Sequence, residues 1–264
     1  MATLSHIAVH PVKSLDPVSR ERVGITDIGG LAGDRTYALV DADGEYVNGK
    51  RTDAVHRLRT DVALESDVLT IGEQGRETEQ QFHLRDEREQ LESWLTSYFG
   101  FEVRVRDGIG GSQTDGVVYG DESRAGPTLV SRATLREVAS WFEGVTPTEM
   151  RLRLRPNLVV EGVPAFWEDR LFSTPAARLR IGTVTLDGTR PIPRCVVPTR
   201  DPHTGEAIPN FREQFINNRR GTLPEWTDTD AFDGNFYTLM TGLSIPESER
   251  AGELRVGDSV ELLA

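Results

Sequence analysis

The single cysteine of this chain, Cys195, lies in the stretch PIPRCVVPTRDPHTG, which runs from Pro191 to Gly205. Pro191 and Pro193 stiffen the approach and Pro198 the exit, and their missing amides keep the segment out of a helix. Arg194 sets a positive charge directly before the sulfur. In such surroundings a thiolate serves as a nucleophile or as a ligand for a soft metal. Most lone cysteines are inert and buried like any small apolar residue; the proline framing and the arginine set this one apart. Nucleophilic catalysis would require a partner histidine. His203 is near in sequence, but it follows the DPHTG turn, which is expected to carry it outward. Soft-metal ligation is the better fit to such a loop.

A second set of residues is cationic and lies at turns. PVKS ends in Lys13 and Ser14, GDR places Arg35 after Gly33 and Asp34, and RLRLRPN carries Arg151, Arg153 and Arg155 ahead of Pro156 and Asn157. As a strand, RLRLRPN would put its three arginines on one face, where like charges repel unless anions or nearby carboxylates neutralise them. Arg155 precedes the bend that Pro156 imposes. Cations held at turns in this way suit the recognition of phosphate or carboxylate.

Other patterns fail on their spacing. Gly108-Ile109-Gly110-Gly111 has Gln113 where a dinucleotide fingerprint needs its third glycine. DADGEYV has Thr52, not a bidentate glutamate, at the twelfth position of a calcium loop counted from Asp41. His6, His10, His56, His83 and His203 show no metal-ligand spacing. Asp34 and Asp201 sit in turns where aspartate ordinarily bonds its own backbone.

The elements that must position these residues are mostly short strands: HIAVHPVKSL, a hairpin over GDRTYALVDADGEYVNG turning at Asp41–Gly44, ALESDVLTI, FEVRVRD, RLRLRPNLVVEG, ARLRIGTVTLDGTRP and two strands in GELRVGDSVELLA. Glu87–Phe99 aligns Leu91, Trp94, Leu95 and Tyr98 on one helical face, and Ser131–Phe142 does the same with Leu135, Val138 and Phe142. Ser131 and Thr134 can cap the second helix. Residues 107–127 are rich in glycine and polar residues and read as a long loop, which places a domain boundary near residue 120. The expected fold is α+β and mostly β, with domains over 1–120 and 121–264.

With 264 residues, the chain can bury a sizeable core. Its 42 acidic residues outnumber 30 basic ones for a net charge of −12, and only Lys13 and Lys50 among the basic residues are lysines. Such an acidic, lysine-poor surface resembles that of proteins from salt-loving organisms. It argues against a nucleic-acid partner. No apolar run reaches the length of a membrane span and no signal-peptide core opens the chain, so a cytoplasmic protein is expected.

Taken together, six stretches in order resemble the MOSC family, the molybdenum cofactor sulfurase C-terminal domains that follow a MOSC N-terminal β-barrel domain. They are HPVKSL, GGLAGDRTYALVDADG, TLVSRATL, RLRPNLVVEGVPAFWED, PIPRCVVPTRDPHTG and GELRVGDSVELL. The resemblance implies a β-barrel-like domain followed by a MOSC domain, and a molybdenum cofactor whose metal is held by Cys195. It implies further that Lys13, Ser14, Arg35, Ser131, Arg155 and Asn157 grip the pterin and its phosphate, with Arg194 and Thr199 flanking the metal. The implied activity is reduction of N-hydroxylated or N-oxide-type small molecules, with electrons from a separate donor protein of the ferredoxin or flavin-reductase type. The alternative is a carrier that uses Cys195 to pass cofactor or sulfur to a partner. Departures from the family pattern, Pro198 and Arg200 in the cysteine loop and Arg132 after Ser131, bear on substrate choice.

Overall fold

The computed structural model describes residues 1–107, 126–173 and 177–263. The boundary near residue 120, the GIGG motif and most of the 107–127 loop lie outside the described residues. The first part of the chain forms β1 (Thr3–Val9), β2 (Val18–Arg20), β3 (Arg22–Gly24), β4 (Tyr37–Asp41), β5 (Leu58–Ala63), β6 (Val68–Glu73), β7 (Glu79–His83), α1 (Arg88–Phe99) and β8 (Val103–Asp107). The second forms β9 (Thr128–Ser131), α2 (Arg132–Ser140), α3 (Pro147–Leu154) and β10 (Leu158–Glu161), then β11 (Arg178–Ile181), β12 (Val184–Pro193), α4 (Phe211–Gly221), β13 (Thr238–Ser244), β14 (Glu253–Arg255) and β15 (Val260–Leu263). The fold is α+β with strands dominant, as the sequence implies.

Eight strands join in one sheet in the order β15-β11-β12-β13-β9-β10-β1-β2. The first twenty residues are thus paired into the sheet of the second half, with β1 antiparallel to β10. That pairing carries the turn after β1, which includes Lys13 and Ser14, to the end of β10 that begins just after Arg155. Three apolar clusters support the walls. One lies within the large sheet, one gathers β4 to β8 with α1, and one packs α2, α3 and α4 around Phe142, Phe211, Phe215 and Met240.

Two local readings change. The expected hairpin over residues 33–49 does not form a two-stranded ladder. Asp41 Oδ1 closes the turn by accepting the amides of Asp43 and Glu45, but the return meets β4 only through the Val40–Tyr46 bridge, and β4 pairs with β8. The RLRLRPN stretch is not a strand up to its bend. Thr146 caps a helix by accepting from Glu149 N, Pro147 stands in its first turn, and Glu149 pairs with Arg153 one turn on. These are helix-start signals lying just upstream of the alternating arginines.

Candidate functional site

Because α3 is a helix, its three arginines diverge. Arg151 Nη1 meets His6 Nε2 at 2.9 Å. Arg153 is buried, donates to Glu149 Oε1 at 2.6 Å and to the Pro198 carbonyl at 3.2 Å, and lies 3.6 Å from Asp201. Arg155 ends the helix in the left-handed region at φ 57°, which the Arg155 amide stabilises by bonding the Arg151 carbonyl. Its Nη2 donates to the Leu15 carbonyl at 2.6 Å. One guanidinium therefore ties the end of α3 to the turn that carries Lys13 and Ser14.

That turn and the GDR turn are stitched together. Lys13 N bonds the Tyr37 carbonyl, Arg35 N the His10 carbonyl and Tyr37 N the Pro11 carbonyl. Asp34 accepts the His10 amide at 2.7 Å and pairs with Arg35. Burial pushes its carboxyl up, but Arg35 and the contacts from His10 outweigh this and hold it below the ordinary carboxylate range. Asp201 likewise accepts the amides of His203 and Thr204. Asp201 closes its own turn, as the sequence implies, whereas Asp34 ties its turn to the one that carries His10.

A cavity of about 290 Å³ opens where these turns face the cysteine loop. Lys13, Ser14, Arg35, Arg155 and the half-buried Cys195 all line it. Ser14, Arg35 and Arg155 each sit at positive φ (77°, 52° and 57°), a backbone region that side chains other than glycine enter at a cost of about 1–2 kcal/mol. Strain of this kind persists where the surroundings over-determine the backbone, and here it recurs at three residues around one cavity. Burial and the charges of Arg35 and Lys50 bring Lys13 down to about 8, while its Nζ lies 3.3 Å over the Tyr46 ring. Burial and Arg35 bring Arg155 down to about 10, and burial and Arg155 take His10 to about 3. Each shift records burial first and then the charges of neighbouring cations, which the nearby carboxylates only partly offset at Arg155 and His10.

The other sequence-predicted site residues do not line the cavity. Ser131 is fully buried and caps α2, accepting from Thr134 N at 2.9 Å. Asn157 is buried and bridges Thr128 N and the Ala8 carbonyl, fixing the bend after Arg155. Thr199 Oγ1 closes its own turn on the Val196 carbonyl. Arg194 Nη2 donates to the Leu154 carbonyl at 2.9 Å and its amide to the Tyr237 carbonyl, so it ties the cysteine loop to α3 and β13. Its Nε and the Tyr237 hydroxyl are both buried without a hydrogen-bond partner. Burial lifts Tyr237 to about 12.

The cavity also takes in Arg200, marked in the sequence as a departure in the cysteine loop, and residues that the motifs did not mark, notably Asp16, His56 and Arg59. Arg59 donates to His203 Nδ1 at 2.6 Å and to the carbonyls of His56 and Pro202. The DPHTG turn therefore brings His203 inward against β5. Burial first, then Arg200, Arg155 and Arg59, push His56 below its ordinary value, partly offset by the Gly49 backbone. Gly49 leaves room for this ring, since a Cβ there would lie 2.5 Å from His56 Nε2. No spacing in the sequence links Arg59 or His56 to Cys195; only the packing of β5 against the cysteine loop does.

Residues 1–102 match the family model of the MOSC N-terminal beta barrel domain, and residues 119–261 match that of the MOSC domain. Over 302 aligned residues the chain is 26% identical to mitochondrial amidoxime reducing component 2 of Rattus norvegicus, covering 98% of this chain and 83% of that protein. The Bos taurus protein of the same name is 25% identical over 297 residues, with the same coverage. The Homo sapiens protein of that name is 36% identical over 126 residues, which are 46% of this chain and 34% of that protein.

Proposed function

The chain belongs to the MOSC family, and we propose that it is a molybdenum-cofactor-dependent oxidoreductase acting on N-hydroxylated or N-oxide-type small molecules. The observation that carries this reading is the sharing of one cavity by the Cys195 thiol and the Lys13, Ser14, Arg35 and Arg155 side chains. The residues fit such a cofactor. Among the described residues no group of three or more His, Cys, Asp or Glu side chains could hold a metal ion, so a metal at Cys195 must bring its other ligands with it. A pterin dithiolene does that, and its phosphate matches the surplus of cations. The orphaned Arg194 Nε and Tyr237 hydroxyl flank the same loop.

When bound, the cofactor supplies two-electron redox chemistry, and the net reaction takes N–OH, two electrons and two protons to N–H and water. The protein's part is to hold and orient. Cys195 provides the single protein ligand to the metal. Lys13, Ser14, Arg35 and Arg155 grip the phosphate end on strained, pre-set turns, which avoids reordering cost on binding. Arg194, Thr199, Ser131 and Asn157 set the walls: the first two shape the cysteine loop and the last two anchor α2 and the bend after Arg155. With one cysteine the chain has no ligand set for an iron–sulfur cluster, so electrons come from a separate donor protein of the ferredoxin or flavin-reductase type. No helix among the described residues is long and apolar enough to cross a membrane.

The test is molybdenum per chain, measured on wild type and Cys195→Ala made in a host that synthesises the cofactor, followed by reduction of benzamidoxime with an artificial reductant. Near-stoichiometric metal that falls sharply in the variant, together with turnover by wild type, is expected. A fully loaded wild type that reduces nothing in a broad N-hydroxylated panel overturns the reading.

A further inference from the structure

Most arginines in the cavity wall are matched. Arg35 pairs with Asp34, Arg59 lies 3.5 Å from Asp16, and Arg153 is shared between Glu149 and Asp201. Arg155, which bonds the Leu15 carbonyl, and Arg200 are not matched, and of the two only Arg200 lies in the cysteine loop. No carboxylate lies within 4 Å of it among the described residues. Its Nη1 donates to the Gly205 carbonyl at 3.2 Å; among the described residues its buried Nε has no partner and its Nη2 makes no hydrogen bond. A half-buried guanidinium in a cavity wall, with no counter-charge among the described residues, presents donors that suit an anion entering the cavity.

Its position is fixed. Arg200 stands directly after the 3-10 turn Val197–Thr199, its amide bonds the Val197 carbonyl, and its backbone bridges to Ala207. Cys195 stands just before that turn, and both residues line the cavity. The loop that carries the thiol therefore also carries this guanidinium into the cavity wall. Arg200 is carried by the cysteine loop itself, whereas Lys13, Ser14, Arg35 and Arg155 come from the turns that face it.

Resting on the reductase reading above, we propose that Arg200 is a specificity residue that binds a carboxylate on the substrate, so that the preferred substrates are N-hydroxylated small molecules bearing an acid group. A planar guanidinium offering its free Nη2 edge suits a carboxylate.

The experiment compares benzamidoxime with its 3- and 4-carboxy derivatives on cofactor-loaded wild type, Arg200→Met and Arg200→Lys, with molybdenum content measured for each protein. Wild type is expected to favour a carboxylated compound by about tenfold or more in kcat/KM, the worth of one charge-assisted contact. Arg200→Met should bring that ratio close to one, chiefly through KM, and Arg200→Lys should keep part of it. Calorimetric binding of the same compounds gives the ratio without turnover. A wild-type ratio near one, an equal loss on both compounds in Arg200→Met, or loss of molybdenum from Arg200→Met overturns the proposal, the last by making Arg200 a cofactor grip. If loaded wild type reduces neither compound yet binds the carboxylated one more tightly through Arg200, the reductase reading falls and the carboxylate site stands. If it reduces both without preference, the reductase reading stands and the carboxylate site falls.

Discussion

Arg219 is wholly buried, paired with the buried Asp169, and its guanidinium carbon lies 4.3 Å from the Phe166 ring and 5.3 Å from that of Phe232. Thr227 Oγ1 adds a hydrogen bond to the same carboxylate at 2.7 Å. In the cavity beside Cys195, Arg155 and Lys13 have no carboxylate within 4 Å among the described residues; one meets a carbonyl and the other an aromatic ring. Both regions withhold positive charge from water. The first matches its one guanidinium with a buried carboxylate, while the second matches Arg35, Arg59 and Arg153 but leaves Arg155 and Lys13 without one among the described residues. On the reading proposed above, a charge that serves the fold takes its partner from the chain, while Arg155 and Lys13 leave theirs to a ligand.

The largest effect should come from unbalancing the paired region. Asp169→Ala leaves Arg219 charged, buried and alone, which costs about 3–5 kcal/mol, a large part of the ~5–15 kcal/mol that holds a typical domain together. Urea unfolding should show this as a collapse of the midpoint. A loss under about 1 kcal/mol would mean that the Arg219 charge is met elsewhere, and the contrast with the cavity would fail.

Next in size is a pH effect from the neighbour of that pair. Glu168 is fully buried, and burial together with the Asp169 charge raises its carboxyl to about 7, partly offset by Thr134 and the amides of Glu168 and Ser131. The folded state therefore keeps a proton that the unfolded chain releases near its ordinary value of 4.5. Stability from this group is greatest below pH 4.5, falls as pH rises to about 7, and is flat beyond; the full change is on the order of 3 kcal/mol. Asp34, held below the ordinary range, acts oppositely and loses its contribution only as pH falls below about 4. His10 and His56, held below their ordinary value, add stability in both proteins as pH rises to about 6.5. The readout is therefore the difference: across pH 4–8 wild type should lose stability relative to Glu168→Gln by about 3 kcal/mol. A difference that stays constant with pH would mean that Glu168 keeps no extra proton in the folded state.

The contrast between the regions also explains what the sequence discloses. Lys13, Ser14, Arg35, Arg155 and Cys195 are legible because each sits in a turn or loop whose prolines, glycines and cations announce an unusual backbone. Ser131 is legible as a cap because capping is local. Arg59 and His56 are not, since their place in the wall depends on β5 meeting the DPHTG turn 144 residues away. The strand reading of RLRLRPN fails for an instructive reason: period-two alternation of Arg and Leu outweighs the capping box immediately before it, although the capping box determines the structure. The Asp169–Arg219 pair, 50 residues apart, leaves no trace in local pattern.

Arg155→Gly tests the unpaired region with a smaller effect on the fold. Glycine relieves the left-handed strain at φ 57°, worth about 1–2 kcal/mol, and loses the hydrogen bond to the Leu15 carbonyl, worth about 1 kcal/mol. The two nearly cancel, so cofactor-free protein should melt within about 4 °C of wild type, while affinity for pyrophosphate as a phosphate probe falls by about tenfold. A melting temperature that drops as far as that of Asp169→Ala would place Arg155 with the fold-holding charges.

The smallest expected change is in how probe binding varies with pH. Lys13 gives up its proton at about 8 in the empty cavity because burial, Arg35 and Lys50 all disfavour its charge. The cavity therefore loses one positive charge as pH passes through 8, well before an ordinary lysine would, and pyrophosphate affinity should weaken across pH 7–9 by a few-fold. A bound anion favours the charged lysine, so binding above pH 8 should be accompanied by proton uptake, measurable by calorimetry in buffers of different ionisation enthalpy. Lys13→Met should bind more weakly at pH 7 and lose both the pH dependence in that window and the proton uptake. If wild type and variant weaken in parallel from pH 7 to 9, the charge deficit lies at Arg155 and Arg35 alone, and Lys13 is held by Tyr46 rather than kept for a ligand.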